Sequence, residues 1–224
     1  MVQNILILGS TGAIGKQLLF QAIKNDKIKH IIAFNRQKTN IEHHKLQNVT
    51  VDYRKLMDKS HLFAEIDTVF CCLGTTMRQA GSKKAFRAVD YDLVVDAAIV
   101  AKQAGVRHFA VVSAAGANAQ SAVFYNQTKG ELEDKLKTMG FEYLSIFRPS
   151  LLLGQRSEVR LGEMVAQQIV PLFSWLMFGS LKKYRPIHIT NVAKAMLVNA
   201  LKNEKGIDTF ESDQIQALSL LMPL

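Results

Sequence analysis

The sequence predicts an α/β fold built on a doubly wound parallel sheet, and three observations carry that expectation. An apolar run, Ile5-Leu6-Ile7-Leu8, leads directly into the glycine-rich stretch Gly9-Ser10-Thr11-Gly12-Ala13-Ile14-Gly15, and residues 16–24 that follow have helical spacing. Four aliphatic residues are few for a helix but suit a strand buried on both faces of a parallel sheet. Apolar runs then recur at residues 31–34, 49–51, 68–73, 109–113 and 143–147, with helical segments between them. Strand and helix in alternation put helices on both faces of one sheet, joined by right-handed crossovers.

Taken in order, the first element is a Rossmann-type turn. Its glycines let the backbone bend sharply and approach a pyrophosphate, while the helix after it offers unpaired N–H groups and a partial positive charge. All seven residues Gly9, Ser10, Thr11, Gly12, Ala13, Ile14 and Gly15 are therefore candidate cofactor contacts, at G-x-x-G-x-x-G spacing. The second strand ends in Phe34-Asn35-Arg36, and no acidic residue occurs between Asp26 and Glu42. An acid near this point would bind the ribose diol, whereas a planar guanidinium suits a 2′-phosphate. Asn35 and Arg36 are accordingly read as cofactor residues, and NADP(H) is favoured over NAD(H). Asp52, just after the third strand, is expected near the adenine. Leu73, Gly74 and Thr75 follow the fourth strand at the carboxyl edge, where such sheets bind ligands, and are expected beside the cofactor ribose. Residues 85–104 read as one packing helix stopped by Gly105.

The pair Tyr125 and Lys129 stands four residues apart, on one face of a helix. A free phenol titrates at about 10, and a neighbouring ammonium lowers that value, which suits a proton shuttle. Lysine can also hold a ribose while tyrosine protonates a carbonyl that accepts hydride. Tyr125 and Lys129 are therefore the candidate catalytic pair.

The chain of 224 residues predicts a single domain, with a cofactor-binding core over about 1–150 and a small helical substrate or lid region over about 151–224. Within that region residues 164–181 are apolar, carry the single Trp and are broken by Pro171 and Gly179. This stretch is too short and interrupted for a membrane span; a lid, a dimer face, a membrane-surface contact and a helix on the sheet edge all stay open. Hydrophobic residues make up 48% and charged ones 21%, the balance of an ordinary globular protein, and the net charge is +9. The basic residues are scattered without aromatic interleaving, which disfavours nucleic acid as a partner and suggests a solvated surface that helps attract a phosphorylated cofactor. Cys71 and Cys72 are neighbours on a strand and point to opposite faces, so they read as core residues and no metal site is expected. The strand pattern begins at Val2, leaving no room for a leader, and a cytoplasmic location is the expectation.

Several segments together resemble the atypical short-chain dehydrogenase/reductase superfamily: the turn Gly9 to Gly15, Tyr125 with Lys129, and Phe147-Arg148-Pro149 after the sixth strand. More narrowly, Cys72-Leu73-Gly74-Thr75-Thr76, Ala80-Gly81-Ser82, Val112-Ser113-Ala114-Ala115-Gly116-Ala117 and the run from Phe147 to Gly154 resemble the branch of Tat-interacting-protein-like oxidoreductases and epimerase-like proteins. The resemblance implies an NADPH-binding Rossmann domain with Tyr125 and Lys129 as the catalytic pair and the supporting serine at or just after Ser113. Relatives carry further hydroxyls after that serine where this chain has Ala114 and Ala115, and Asp90 stands near the helix asparagine of many members. Arg148, also a candidate cofactor residue, lies with Arg156 and Arg160 where substrate residues would converge; if they converge an anionic substrate is expected, and if not they are surface charges. His188 resembles a segment returning to the substrate side.

Two functions from different classes fit this pattern. One is an oxidoreductase acting on a small carbonyl or alcohol, with sugar-nucleotide epimerisation disfavoured by the short C-terminal part. The other is a non-catalytic, NADPH-sensing regulator or assembly factor that binds a protein partner; a homodimer fits either.

Overall fold

The computed structural model describes residues 3–37, 39–154, 179–202 and 204–221. Nine strands are present among them: β1 (Asn4–Leu8), β2 (His30–Asn35), β3 (Leu46–Thr50), β4 (Thr68–Cys71), β5 (His108–Val112), β6 (Tyr143–Arg148), β7 (Leu152–Leu153), β8 (Ile187–His188) and β9 (Gly206–Glu211). Seven of them form one sheet in the order β3-β2-β1-β4-β5-β6-β9, every pair parallel. The strand order reverses between β1 and β4, and the crevice outside their carboxyl ends is where a doubly wound sheet takes its ligand. This is the Rossmann-type architecture that the alternating pattern predicts.

Side chains alternate across the sheet and build a core on each face. Ile5 and Ile7 pack with α1 (Ala13–Lys24), α6 (Ile189–Lys202) and α7 (Ser212–Ser219), whereas Leu6 and Leu8 face α4 (Leu93–Gln103) and α5 (Phe124–Lys137). Cys71 joins the second of these cores and Cys72 packs against the first, both as free thiols. Burial pushes the Cys71 thiol up to about 12, so both geometry and ionisation fit an inert core residue.

The C-terminal part contributes more than helices. β9 adds a seventh strand, in register with β6 from Tyr143↔Gly206 to Arg148↔Glu211, and α6 packs along α1. A short ladder joins Leu152 to Ile187 and Leu153 to His188, so the segment around His188 returns beside residues 151–154. The apolar segment 164–181 lies outside the described residues up to 178, as do Arg156 and Arg160.

The single helix expected over 85–104 is broken. Residues Lys83–Arg87 form α3, preceded by the short α2 (Met77–Ala80), and Ala88–Asp92 form a π-turn that leads into α4. A π-turn inserts one extra residue and rotates the helix beyond it. The residue it buries is Asp90, only 1% exposed. Beyond the break the expectation is met, since α4 ends at Gln103 and Gly105 takes φ +83.

Candidate cofactor and catalytic site

The turn after β1 is shaped by what its glycines exclude. Gly9 has φ +81, and a Cβ there would stand 3.1 Å from the Cys72 carbonyl oxygen on the neighbouring strand. A Cβ on Gly15 would lie 2.2 Å from the Gly9 carbonyl oxygen, so α1 can begin under the turn only without a side chain at that position. The Gly9 amide donates to the Phe34 carbonyl at 3.2 Å and to the Tyr53 hydroxyl at 3.0 Å, and that hydroxyl donates in turn to Phe34 at 2.6 Å. Burial holds Tyr53 well above the ordinary phenol range, so it stays a neutral brace. Helix α1 starts at Gly12 with no side-chain cap and no acidic residue in its first turn. Its first amides are open to an anion, and no acidic side chain in that turn repels one. The cradle therefore fits a dinucleotide pyrophosphate.

Two residues expected at the cofactor, Ser10 and Asn35, use their side chains to support the turn from below. The Ser10 hydroxyl donates to Asn35 Oδ1 at 2.7 Å, and both residues are buried. Thr11 is exposed at the rim. Arg36 stands exposed at the end of β2 with no ion-pair partner among the described residues. Asp52, expected near the adenine, is committed to Arg54: its carboxylate takes the Arg54 amide at 3.1 Å and guanidinium at 2.8 Å. These hydrogen bonds hold the Asp52 carboxyl down to about 2.

Further along the carboxyl edge a cavity of about 610 Å³ opens between the ends of β4, β5 and β6 and the start of α5. Leu73, Gly74, Thr75, Ser113, Tyr125 and Lys129 all line it, so the structure brings together the residues expected beside the ribose and those expected to react. Lys129 is 3% exposed, and its Nζ lies 2.7 Å from Asp90 Oδ1. The second oxygen of Asp90 accepts the Thr75 amide at 2.7 Å. Burial alone would lower the Lys129 pKa, but facing Asp90 and Tyr125 raises it above the ordinary lysine value. Lys129 is thus a buried, charged ammonium tied through one carboxylate to the loop after β4. Tyr125 sits one helical turn before it, its ring braced by Phe86 at 5.4 Å between centroids.

Ser113 lines the cavity, but its hydroxyl proton is engaged in a hydrogen bond. Its Oγ donates to Glu133 Oε1 at 2.5 Å, and Glu133 is 1% exposed. Arg148 grips the same carboxylate, at 2.9 Å through Nε and 2.5 Å through Nη2, and reaches Glu211 on β9 at 3.0 Å. Arg148, expected at the cofactor or substrate, forms a strut between β6, α5 and β9 and does not line this cavity. His188 is exposed and bonded to Thr190 at 3.0 Å, and it does not line this cavity.

Several residues of the site escaped the sequence reading. In the sequence Asp90 stands out only as a departure from a family pattern, and Glu133, Tyr53 and Gly130 belong to none of the motifs above. A Cβ on Gly130 would come within 2.1 Å of the Ala119 amide nitrogen, so the loop after β5 crosses α5 directly beside Lys129. Glu133 did carry a signal, because Tyr125, Lys129 and Glu133 form a stripe with one residue every turn.

A family model described as NAD(P)H-binding matches residues 9–168. The chain belongs to this NAD(P)H-binding family. Among curated proteins it is 36% identical over 211 residues to Protein HTATIP2 of Rattus norvegicus, covering 91% of this chain and 84% of that one. It is 34% identical over 210 residues to the mitochondrial Protein FMP52 of Candida albicans, covering 91% and 90%. Solved structures similar to it include MoeE5 with UDP-glucose and NAD, at TM-score 0.70 and 14% identity over 96% of this chain and 80% of that one. The UDP-glucose 4-epimerase of Thermotoga maritima matches at TM-score 0.69 and 16% identity, covering 97% and 81%. At such identities these structures show the shared fold. The relatives also correct one expectation: several fungal homologues are named mitochondrial, which conflicts with the cytoplasmic location expected from the sequence. Among the described residues no helix is long and apolar enough to cross a membrane.

Proposed function

We propose that this NAD(P)H-binding protein is an oxidoreductase of the atypical short-chain type that reduces or oxidises a small carbonyl or alcohol and prefers NADP(H). The observation that carries the reading is Tyr125 and the buried Lys129 lining one cavity next to the loop after β4. The glycine cradle and the open start of α1 would hold the pyrophosphate, and Arg36 would meet a 2′-phosphate. When bound, NADPH would supply a hydride to the carbonyl carbon. Tyr125 gives its hydroxyl proton to the carbonyl oxygen as charge develops there. Lys129 would steady the phenolate left behind and hold the ribose hydroxyls, while Asp90 keeps the ammonium charged and in place.

A second reading is a cofactor-binding regulator without turnover, acting through a protein partner or a second copy of itself. It is favoured by one feature, the Ser113 proton committed to Glu133 with Ala114 and Ala115 beside it, which leaves no serine hydroxyl free to orient a carbonyl. Calorimetric titration of NADPH and NADH into wild type and Arg36→Ala, then a carbonyl screen with wild type and Tyr125→Phe, separates the readings. NADPH preference lost with Arg36 and turnover lost with Tyr125 support the reductase. Binding without turnover selects the regulator, and absence of binding removes both.

A further inference from the structure

The cavity beside Tyr125 is lined by three charged side chains: Asp90, Lys129 and Arg78. The first two neutralise each other at 2.7 Å within its wall. Arg78 is exposed and has no ion-pair partner among the described residues. Among the described residues the cavity's uncompensated charge is therefore the positive one of Arg78, while Leu73, Met77, Val112, Pro149 and Leu151 give it apolar walls. The backbone carrying Arg78 is fixed at both ends. Thr76 Oγ1 accepts the Gln79 amide at 3.1 Å, and Gly81, with φ +74, donates its amide to the Met77 carbonyl at 3.0 Å.

We propose that Arg78 receives an anionic group of the substrate, so that the preferred substrate is a small carbonyl compound with an apolar body and a carboxylate or phosphate remote from the reacting carbon. The inference rests on the reductase reading of this cavity and extends it to substrate class. A guanidinium is charged at every working pH and presents paired donors that match the oxygens of either anion. Apolar walls exclude water around such a contact and strengthen it, whereas the exposed position of Arg78 keeps it sensitive to salt.

The test is calorimetric binding of 4-carboxybenzaldehyde, 4-formylphenyl phosphate and the uncharged methyl 4-formylbenzoate to wild type, Arg78→Ala and Arg78→Lys. NADP⁺ is present, so no hydride is available and binding is read whether or not the protein turns over. Wild type should bind one or both anions about tenfold tighter than the ester. That preference should vanish in Arg78→Ala, persist in part in Arg78→Lys, and shrink as salt is raised. Equal binding of the ester and the anions by wild type, an unchanged preference in Arg78→Ala, or no binding of any probe overturns the proposal. A steady-state screen of the same aldehydes with NADPH then separates the two readings: an anion preference without turnover sinks the reductase alone, and turnover without preference sinks the Arg78 assignment alone.

Discussion

Asp90 and Lys129 meet at 2.7 Å inside the carboxyl edge of the sheet, both almost wholly buried, and the free oxygen of Asp90 holds the Thr75 amide. A carboxylate and an ammonium removed from water are each costly alone and tolerable together. Replacing Asp90 by Asn leaves the ammonium without its counter-charge, and replacing Lys129 by Met leaves the carboxylate. Each single variant should lose about 3 kcal/mol of stability, whereas the double variant should recover a large part of that loss. Urea denaturation of the four proteins measures the coupling; losses that simply add would show that the pair does not act as a unit.

Arg148 is bound to a structural rather than a chemical task. Its guanidinium satisfies a Glu133 carboxylate that is 1% exposed and also holds Glu211 on the edge strand. Arg148→Ala should destabilise the protein by about 3 kcal/mol while leaving NADPH affinity within a few-fold of wild type. A large loss of affinity with little loss of stability would return Arg148 to the cofactor.

What could be read from sequence was local. The turn from Gly9 to Gly15 is legible because steric exclusion at Gly9 and Gly15 writes itself as glycine, and Tyr125 with Lys129 because four residues make one helical turn. Asp90 was not, since a regular helix puts it on a different face from the one the π-turn gives it. The Arg148 strut depends on β9, whose half-exposed Gly-Ile-Asp-Thr-Phe-Glu lacks the apolar run that marks the inner strands. Tyr53 reaches Gly9 across 44 residues, a contact no local pattern encodes. Ser113 was found at its place but not in its bonding, because its partner lies 20 residues on.

Gly15 should be the least replaceable residue of the cofactor turn. A methyl group at 2.2 Å from the Gly9 carbonyl oxygen would strike backbone, which cannot rotate away as a side chain could. Gly15→Ala is expected to weaken NADPH binding at least about a hundredfold, since the start of α1 must retreat from the pyrophosphate. Calorimetry reads the affinity and thermal unfolding reads the fold; wild-type values in both would contradict the close packing seen at this turn.

His108 gives stability a pH dependence distant from the cavity. The residue is 3% exposed, with Nε2 2.9 Å from Ser145 Oγ and Nδ1 3.4 Å from Thr68 Oγ1, and the Ser145 hydroxyl donates to Asn199 Oδ1 at 2.6 Å. Burial lowers the His108 pKa to about 4, from 6.5 in a freely exposed ring. The neutral ring is therefore compatible with folding and the imidazolium is not. Above about pH 6.5 both folded and unfolded chains carry the neutral form, and the contribution is fully present. As pH falls from there toward 4, the unfolded chain binds a proton that the folded one refuses, and up to ~3 kcal/mol is lost. His108→Gln should be less stable at pH 7 but flatter across this window. Denaturant midpoints for both proteins between pH 4 and 8 check the difference, and parallel curves would mean that His108 titrates alike in both states.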